Sequence, residues 1–282
     1  MTVIDPRMQD SVGAALGSVR QNWRGVLFTA AIGALATTAI QMLGGLAPSA
    51  PYLTIAAALF ASAMIYSVFI GMALRGGQPR LRPSEGLRVF SAMAVVGFFL
   101  AIVGFVLSIV SAIILVAGPY ASLSREISAA SGDRDAVNRL AQQMFAQNPA
   151  PIVVIGVFYL LVWFYLTTRL YLAAPASVDR GRILSFETWS WTKGATLKIM
   201  GARAMLIGPA FVLTFALTYL LSRAAGIALF DASGGSPQPG PALAFAIITA
   251  FLGYLVSDAL SANLSSALYR DLGGLKARLP PS

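Results

Sequence analysis

The sequence predicts an all-α integral membrane protein, and three observations carry that expectation. Of the 282 residues, 57% are hydrophobic and 11% charged, with a mean hydropathy of +0.74, far from the mix of a soluble domain. The apolar residues gather into six stretches, each long enough to cross roughly 30 Å of hydrocarbon. Lys and Arg concentrate in alternate connections. The expected architecture is six transmembrane helices in three hairpins with short interfacial amphipathic helices. It forms a single polytopic domain over residues 1–282, with 1–21 as an interfacial helix and 22–282 as the bundle.

The first helix is expected near the start. Asp5-Pro6 supplies a cap followed by proline at the first helical position, and Met8, Val12, Ala15, Leu16 and Val19 recur at helical spacing. The spans follow at 25–47, 51–75, 87–118, 150–175, 196–230 and 242–268. The fifth holds Pro209, a candidate kink. Between the third and fourth, Val137, Leu140, Ala141, Met144 and Phe145 make one apolar stripe opposite Asp135, Asn138, Gln142 and Gln143, which suits a surface-lying helix or a lid. Before the fifth, Leu184, Phe186, Trp189 and Trp191 mix with polar residues in a pattern that favours the headgroup layer. Each hairpin follows a short segment beginning near Ser11, Ser84 or Ser185. Parallel repeats and hairpins stacked for stability alone both fit that layout.

Arg7, Arg20 and Arg24, then Arg75, Arg80, Arg82 and Arg88, then Arg180, Arg182, Lys193, Lys198 and Arg203, and finally Arg270, Lys276 and Arg278 all fall on one side of a six-span topology. The opposite side has Arg125, Arg134 and Arg139 offset by Glu126, Asp133 and Asp135, and Arg223 beside Asp231. The bias places both termini in the cytoplasm.

Composition narrows the chemistry. With 0 His and 0 Cys, the ordinary zinc, haem and iron–sulfur sites and the His-dependent nucleophiles are excluded. The 11 acids are scattered, without a pair at catalytic spacing. No catalytic residue, metal site or cofactor is expected, and an enzyme is not the expected function. The net charge of +9 has no soluble domain to present it to nucleic acid, so anionic lipid headgroups are the expected partners. A membrane-protein partner or a second copy of the chain is the other.

Charges inside spans cost about 2.5 to 3.5 kcal/mol at the centre on insertion scales. Arg169, Lys198, Arg203 and Asp258 are the residues concerned. Arg169, with Lys198 and Arg203, is a candidate ligand for a lipid phosphate, since a guanidinium matches phosphate bidentately; snorkelling to the headgroups is the plainer alternative. Asp258 has no local cation, and a structural ion pair with Arg169 or Arg203 is the favoured account; a proton or cation relay is the alternative, although no second membrane acid accompanies it. Gly97, Ala101, Gly104, Ser108 and Ser111 form a small-residue stripe suited to close helix packing.

The run Arg169-Leu170-Tyr171-Leu172-Ala173-Ala174-Pro175-Ala176-Ser177-Val178, followed by Leu184-Ser185-Phe186-Glu187-Thr188-Trp189-Ser190-Trp191-Thr192-Lys193-Gly194, resembles a bacterial multi-pass pattern. It is that of the membrane domain of some glycerophosphodiester phosphodiesterases and the stand-alone YciC-like inner-membrane proteins. The block covers about a tenth of the chain. The resemblance implies a membrane location and a link to lipid or envelope biology, without a reaction, because the histidines and metal-binding acids of the phosphodiesterase domain are absent. The two expected functions are therefore a non-enzymatic protein that handles or transports lipid or another amphiphile, and a non-catalytic scaffold or accessory subunit. A cytoplasm-active reporter fused after Ser282 is expected to give signal and one fused near Gln142 none; the reverse pattern would invert the topology.

Overall fold

A computed structural model describes residues 6–46, 51–129, 133–227 and 239–276. The described chain is helical: α1 (Pro6–Gln21), α2 (Trp23–Leu46), α3 (Pro51–Arg75), α4 (Pro83–Ala117), α5 (Ala121–Ala129), α6 (Arg134–Gln147), α7 (Ala150–Arg169), α8 (Ala173–Asp179), α9 (Glu187–Trp191), α10 (Thr196–Ala224), α11 (Pro239–Leu252), a π-helical turn (Gly253–Asp258) and α12 (Ala259–Lys276). Six segments are long and apolar enough to cross a membrane: Trp23–Gly45, Pro51–Arg75, Pro83–Ala117, Ala150–Asp179, Thr196–Ala224 and Gly240–Leu272. This is an all-α multi-pass membrane protein. Two compact units result, one of residues up to Val95 and from Thr168 onward, the other Val96–Thr167.

In the first unit, α12 is the central helix. It is buried at every position from Ala262 to Tyr269, with α1, α3, α8 and α10 against it. A helix covered all round needs its polar groups met internally, and α12 does much of this itself: Asn263 Nδ2 donates to Ala259 O at 2.7 Å and Ser265 Oγ to Ala262 O at 3.1 Å. Beside it, α2 presents Val26, Ala30 and Ala34 to the Phe69 and Ile70 side of α3. The two alanines, four apart, let the backbones approach. At Gly33 the approach is tight, since a Cβ there would sit 3.1 Å from Ile65 Cγ2 and from Tyr254 Cδ2.

Two residues of the α1 stripe pack inward, while Leu16 is 47% exposed. Val12 and Ala15 are buried in the same cluster as Leu264 and Leu268 of α12 and Ile199 and Ala202 of α10, and Ser11 Oγ donates to Asp271 Oδ2. The expected Asp5 cap lies outside the described residues. Only Asn22 separates α1 from α2, and its Nδ2 donates to Ser18 O at 3.1 Å. The fourth span also departs from expectation. α7 stops at Arg169, a turn at residues 170–172 intervenes, and α8 resumes at Ala173. In the last span the π-helical turn widens the helix, and the Ala259 N–H reaches back five residues to Tyr254 O.

Burial in this unit is concentrated at the basic end, meaning the start of α2, the end of α3, the start of α10 and α12. Towards the opposite end α3 is bare, with Tyr52 84% exposed. In the second unit, the Asp133 carboxylate caps α6 by accepting from the Ala136 N–H at 3.1 Å. Tyr120 OH donates to Asn148 O, tying the turn after α4 to the turn before α7. Val137 and Leu140 of the expected α6 stripe are half-buried; the side chains of Ala141, Met144 and Phe145 lie outside the described residues. The α4 and α7 surfaces here are largely bare, with Phe98 71% exposed.

Gly33→Val is expected to destabilise the protein by about 1–3 kcal/mol through overpacking against Ile65 and Tyr254. Gly156→Ala, which would meet nothing within 4 Å, is expected to be neutral or mildly stabilising. Thermal unfolding in detergent distinguishes the two, and equal shifts would remove the close-packing account.

Candidate functional site: a buried arginine–aromatic core and a basic cleft

The two arginines singled out from the sequence are inside the first unit. Arg169 ends α7 and is 6% exposed. Its Nη1 donates to Thr196 Oγ1 at 3.0 Å, and its guanidinium lies 4.7 Å from the Trp189 ring centroid. Its carbonyl accepts from Thr192 Oγ1 at 3.1 Å. Arg203, two turns along α10 from Thr196, donates through Nη1 to Thr168 Oγ1 at 2.7 Å and lies over the Tyr171 ring at 4.6 Å. The Tyr171 hydroxyl continues the network, donating to Ser261 O at 2.9 Å, and Tyr66 OH meets Ser261 Oγ at 3.3 Å. The end of α7 is thus locked to α9, α10 and α12 by two cations, each faced by an aromatic ring. Cation–π contact of this kind gains strength where water is excluded.

A third pair repeats the arrangement and was not legible in the sequence. Arg180 stacks on Trp191 at 4.4 Å and donates Nε to Tyr269 OH at 3.3 Å, while Tyr269 OH donates to Asp179 Oδ2 at 2.7 Å. Its members come from the end of α8, the end of α9 and α12, and no local spacing connects them.

The expected ion pair between Asp258 and Arg169 is absent. Arg169 is committed to Thr196 and Trp189, and no described ion pair includes Asp258. The carboxylate closes the π-helical turn and is partly exposed rather than sealed. Lys198 is exposed on α10, whereas Ile199 and Ala202 on the same helix face the core. Arg169 and Arg203 therefore brace the bundle, each with Nη1 turned to a threonine hydroxyl and its buried Nε left without a hydrogen bond.

Open polar space lies elsewhere on the basic end. A cleft of about 620 Å³ runs between α1, the end of α3 and α12, lined among others by Ser18, Gln21, Asn22, Arg75, Arg270 and Asp271. Arg270 is fixed at its wall by donating Nη2 to Ala73 O at 2.8 Å. Gln21 and Asn22 also line a second depression of about 420 Å³, shared with Trp23, Arg24 and the turn at Gly77–Pro79. The signal available in the sequence was the return of Arg, Gln and Asn at the end of α1. What it lacked was the packing of α1 on α12.

Comparison with protein-family models, with curated proteins and with solved structures gives no match.

Arg169→Leu and Arg203→Leu are each expected to lower stability by about 1.5–3 kcal/mol, the range for a hydrogen bond involving a charged group. Asp258→Asn is expected to change it by less than about 0.5 kcal/mol, as for substitutions away from paired groups. Melting of the three variants in one detergent tests the assignment. A large loss in Asp258→Asn would restore the ion pair.

Proposed function

We propose that this is a non-enzymatic protein of a bacterial inner membrane, with both termini cytoplasmic, that handles an anionic lipid or a related amphiphile. The headgroup is received in the cleft between α1, α3 and α12. The observation that carries this reading is the cleft itself. Its wall combines Arg75 and Arg270 with the neutral groups of Ser18, Gln21 and Asn22 and one carboxylate, Asp271, which accepts from Ser11, at the end of the unit where the basic connections converge. Guanidinium donors suit phosphate and carboxylate groups, and apolar helix surface beside them suits acyl chains. Cytoplasmic-leaflet lipids carry the complementary charge. The resemblance of residues 169–194 to membrane domains linked with lipid and envelope biology agrees in class. Lys198, exposed at the start of α10, is a further candidate ligand for a lipid phosphate. Arg169 and Arg203 shape the bundle that presents the cleft, and their roles as direct ligands pass to Arg75 and Arg270.

A second reading, a scaffold that packs against another membrane protein or another copy of itself, is favoured by one feature. In the most apolar stretch of the fourth span no residue is buried, and in that of the third 6% are. Helices so bare face lipid or a partner.

Native mass spectrometry from mixed-lipid nanodiscs separates the two readings. Wild type and a folded Arg169→Leu are expected to retain anionic lipid, and Asn22→Ala combined with Arg270→Leu to lose most of it. Equal retention in all three would leave the scaffold as the better account.

A further inference from the structure

The segment joining α3 to α4 carries three arginines in eight residues, Arg75, Arg80 and Arg82. Glu85, 6% exposed at the start of α4, is the carboxylate that gathers them. Its Oε2 accepts from Arg75 Nη2 at 2.7 Å and its Oε1 from Arg82 Nη1 at 3.0 Å. One carboxylate leaves two of the three positive charges unmatched. Arg80 has no hydrogen bond or ion pair among the described residues.

These side chains line a pocket of about 250 Å³ together with Gly76, Gly77 and Gln78, and no carboxylate lines it. Two consecutive glycines at φ 72° and 85° turn the chain around it, a conformation that L side chains rarely adopt. The Gly76 N–H closes α3 by donating to Met72 O at 2.8 Å. Beyond it, the N–H groups of Gly77, Gln78 and Arg80 have no partner among the described residues, and Pro79 has none to give. The pocket is thus lined by three arginines and by a turn whose backbone N–H groups beyond Gly76 carry no hydrogen bond among the described residues. With Arg75 and Arg82 side chains 40% and 46% exposed, it can be reached from outside.

We infer that this pocket binds a phosphate group, Glu85 holding two of the arginines in place and Arg80 closing on the ligand. Three guanidiniums around one site match the charge and the several acceptor oxygens of a phosphate. The inference deepens the amphiphile reading and rests on it only for the source of the phosphate, a lipid headgroup or a soluble phosphate.

The full chain in phosphatidylcholine nanodiscs is titrated with inorganic phosphate by calorimetry. Separately, it is offered phosphatidic acid in the same bilayer and analysed by native mass spectrometry. Arg80→Glu is expected to weaken binding of the phosphate-bearing probe by about tenfold or more, and Arg80→Ala by a smaller factor. Lys193→Glu, the same charge change at an exposed site on another turn, should stay within about twofold on the screening expected for exposed charges. Loss confined to phosphatidic acid assigns the phosphate to a lipid. If wild type binds inorganic phosphate and retains no anionic lipid, the pocket stands for a soluble phosphate and the amphiphile reading falls. If Arg270→Leu loses anionic lipid while both Arg80 variants keep it and bind inorganic phosphate as wild type does, the pocket falls and the amphiphile reading stands. Equal weakening in Arg80→Glu and Lys193→Glu would reduce the effect to net charge and overturn the site.

Discussion

A guanidinium among apolar helices needs partners for its donors, and that need organises the basic end of the first unit, although the Nε of Arg169 and of Arg203 stays without a hydrogen bond. Thr196 shows how it is done. Its hydroxyl donates to Thr192 O at 3.0 Å and accepts from Arg169 at 3.0 Å, which a group with one donor and two acceptor lone pairs can do. Thr168, Thr188 and Thr192 are fully buried around it. Their hydroxyls bond the preceding helical turn or the other strand of the network. The break after Arg169 belongs to the same solution. By ending α7 there, the chain frees the Arg169 carbonyl for Thr192 and lets Tyr171 turn to Ser261.

The rest of the unit is built outward from this end. Small residues bring α2, α3 and the last span together, α1 lies along α12, and the opposite half of the helices is left to apolar surroundings. Charge and packing therefore coincide. The end that carries the arginines is also the end where helices are close enough to form walls, and a headgroup-sized cleft can exist only where there are walls. Arg169 and Arg203 hold those walls, while Arg75 and Arg270 line the cleft between them.

Six spans and their charge bias were legible because hydropathy reports which residues leave water, and alternation of basic loops reports which ends lie together. Contacts between elements were not legible. The Val12 and Ala15 stripe of α1 has the same pattern whether it meets lipid or α12. Arg169 and Asp258 look like partners when both are simply charges in apolar helices, but pairing depends on which way each helix is turned. The Arg180–Tyr269–Asp179 cluster spans 90 residues, beyond any motif. The Arg75–Glu85–Arg82 group lay within reach of a sequence argument, since an acid three residues after one arginine and ten after another sits at a helix start. Its burial was the missing fact.

The π-helical turn at Gly253–Asp258 has a consequence for the span that contains it. Each residue of an α-helix advances the azimuth by about 100°, so one extra residue in a wide turn reorients everything after it relative to everything before. α11 meets α2, whereas α12 meets α1 and α3. A straight α-helix would carry a single seam along its length; the inserted residue acts as a phase spacer that lets one span serve two seams. Removing it would leave both halves helical and similar in hydropathy, yet set one seam out of register with its neighbours. The length of this segment is therefore constrained more tightly than its composition.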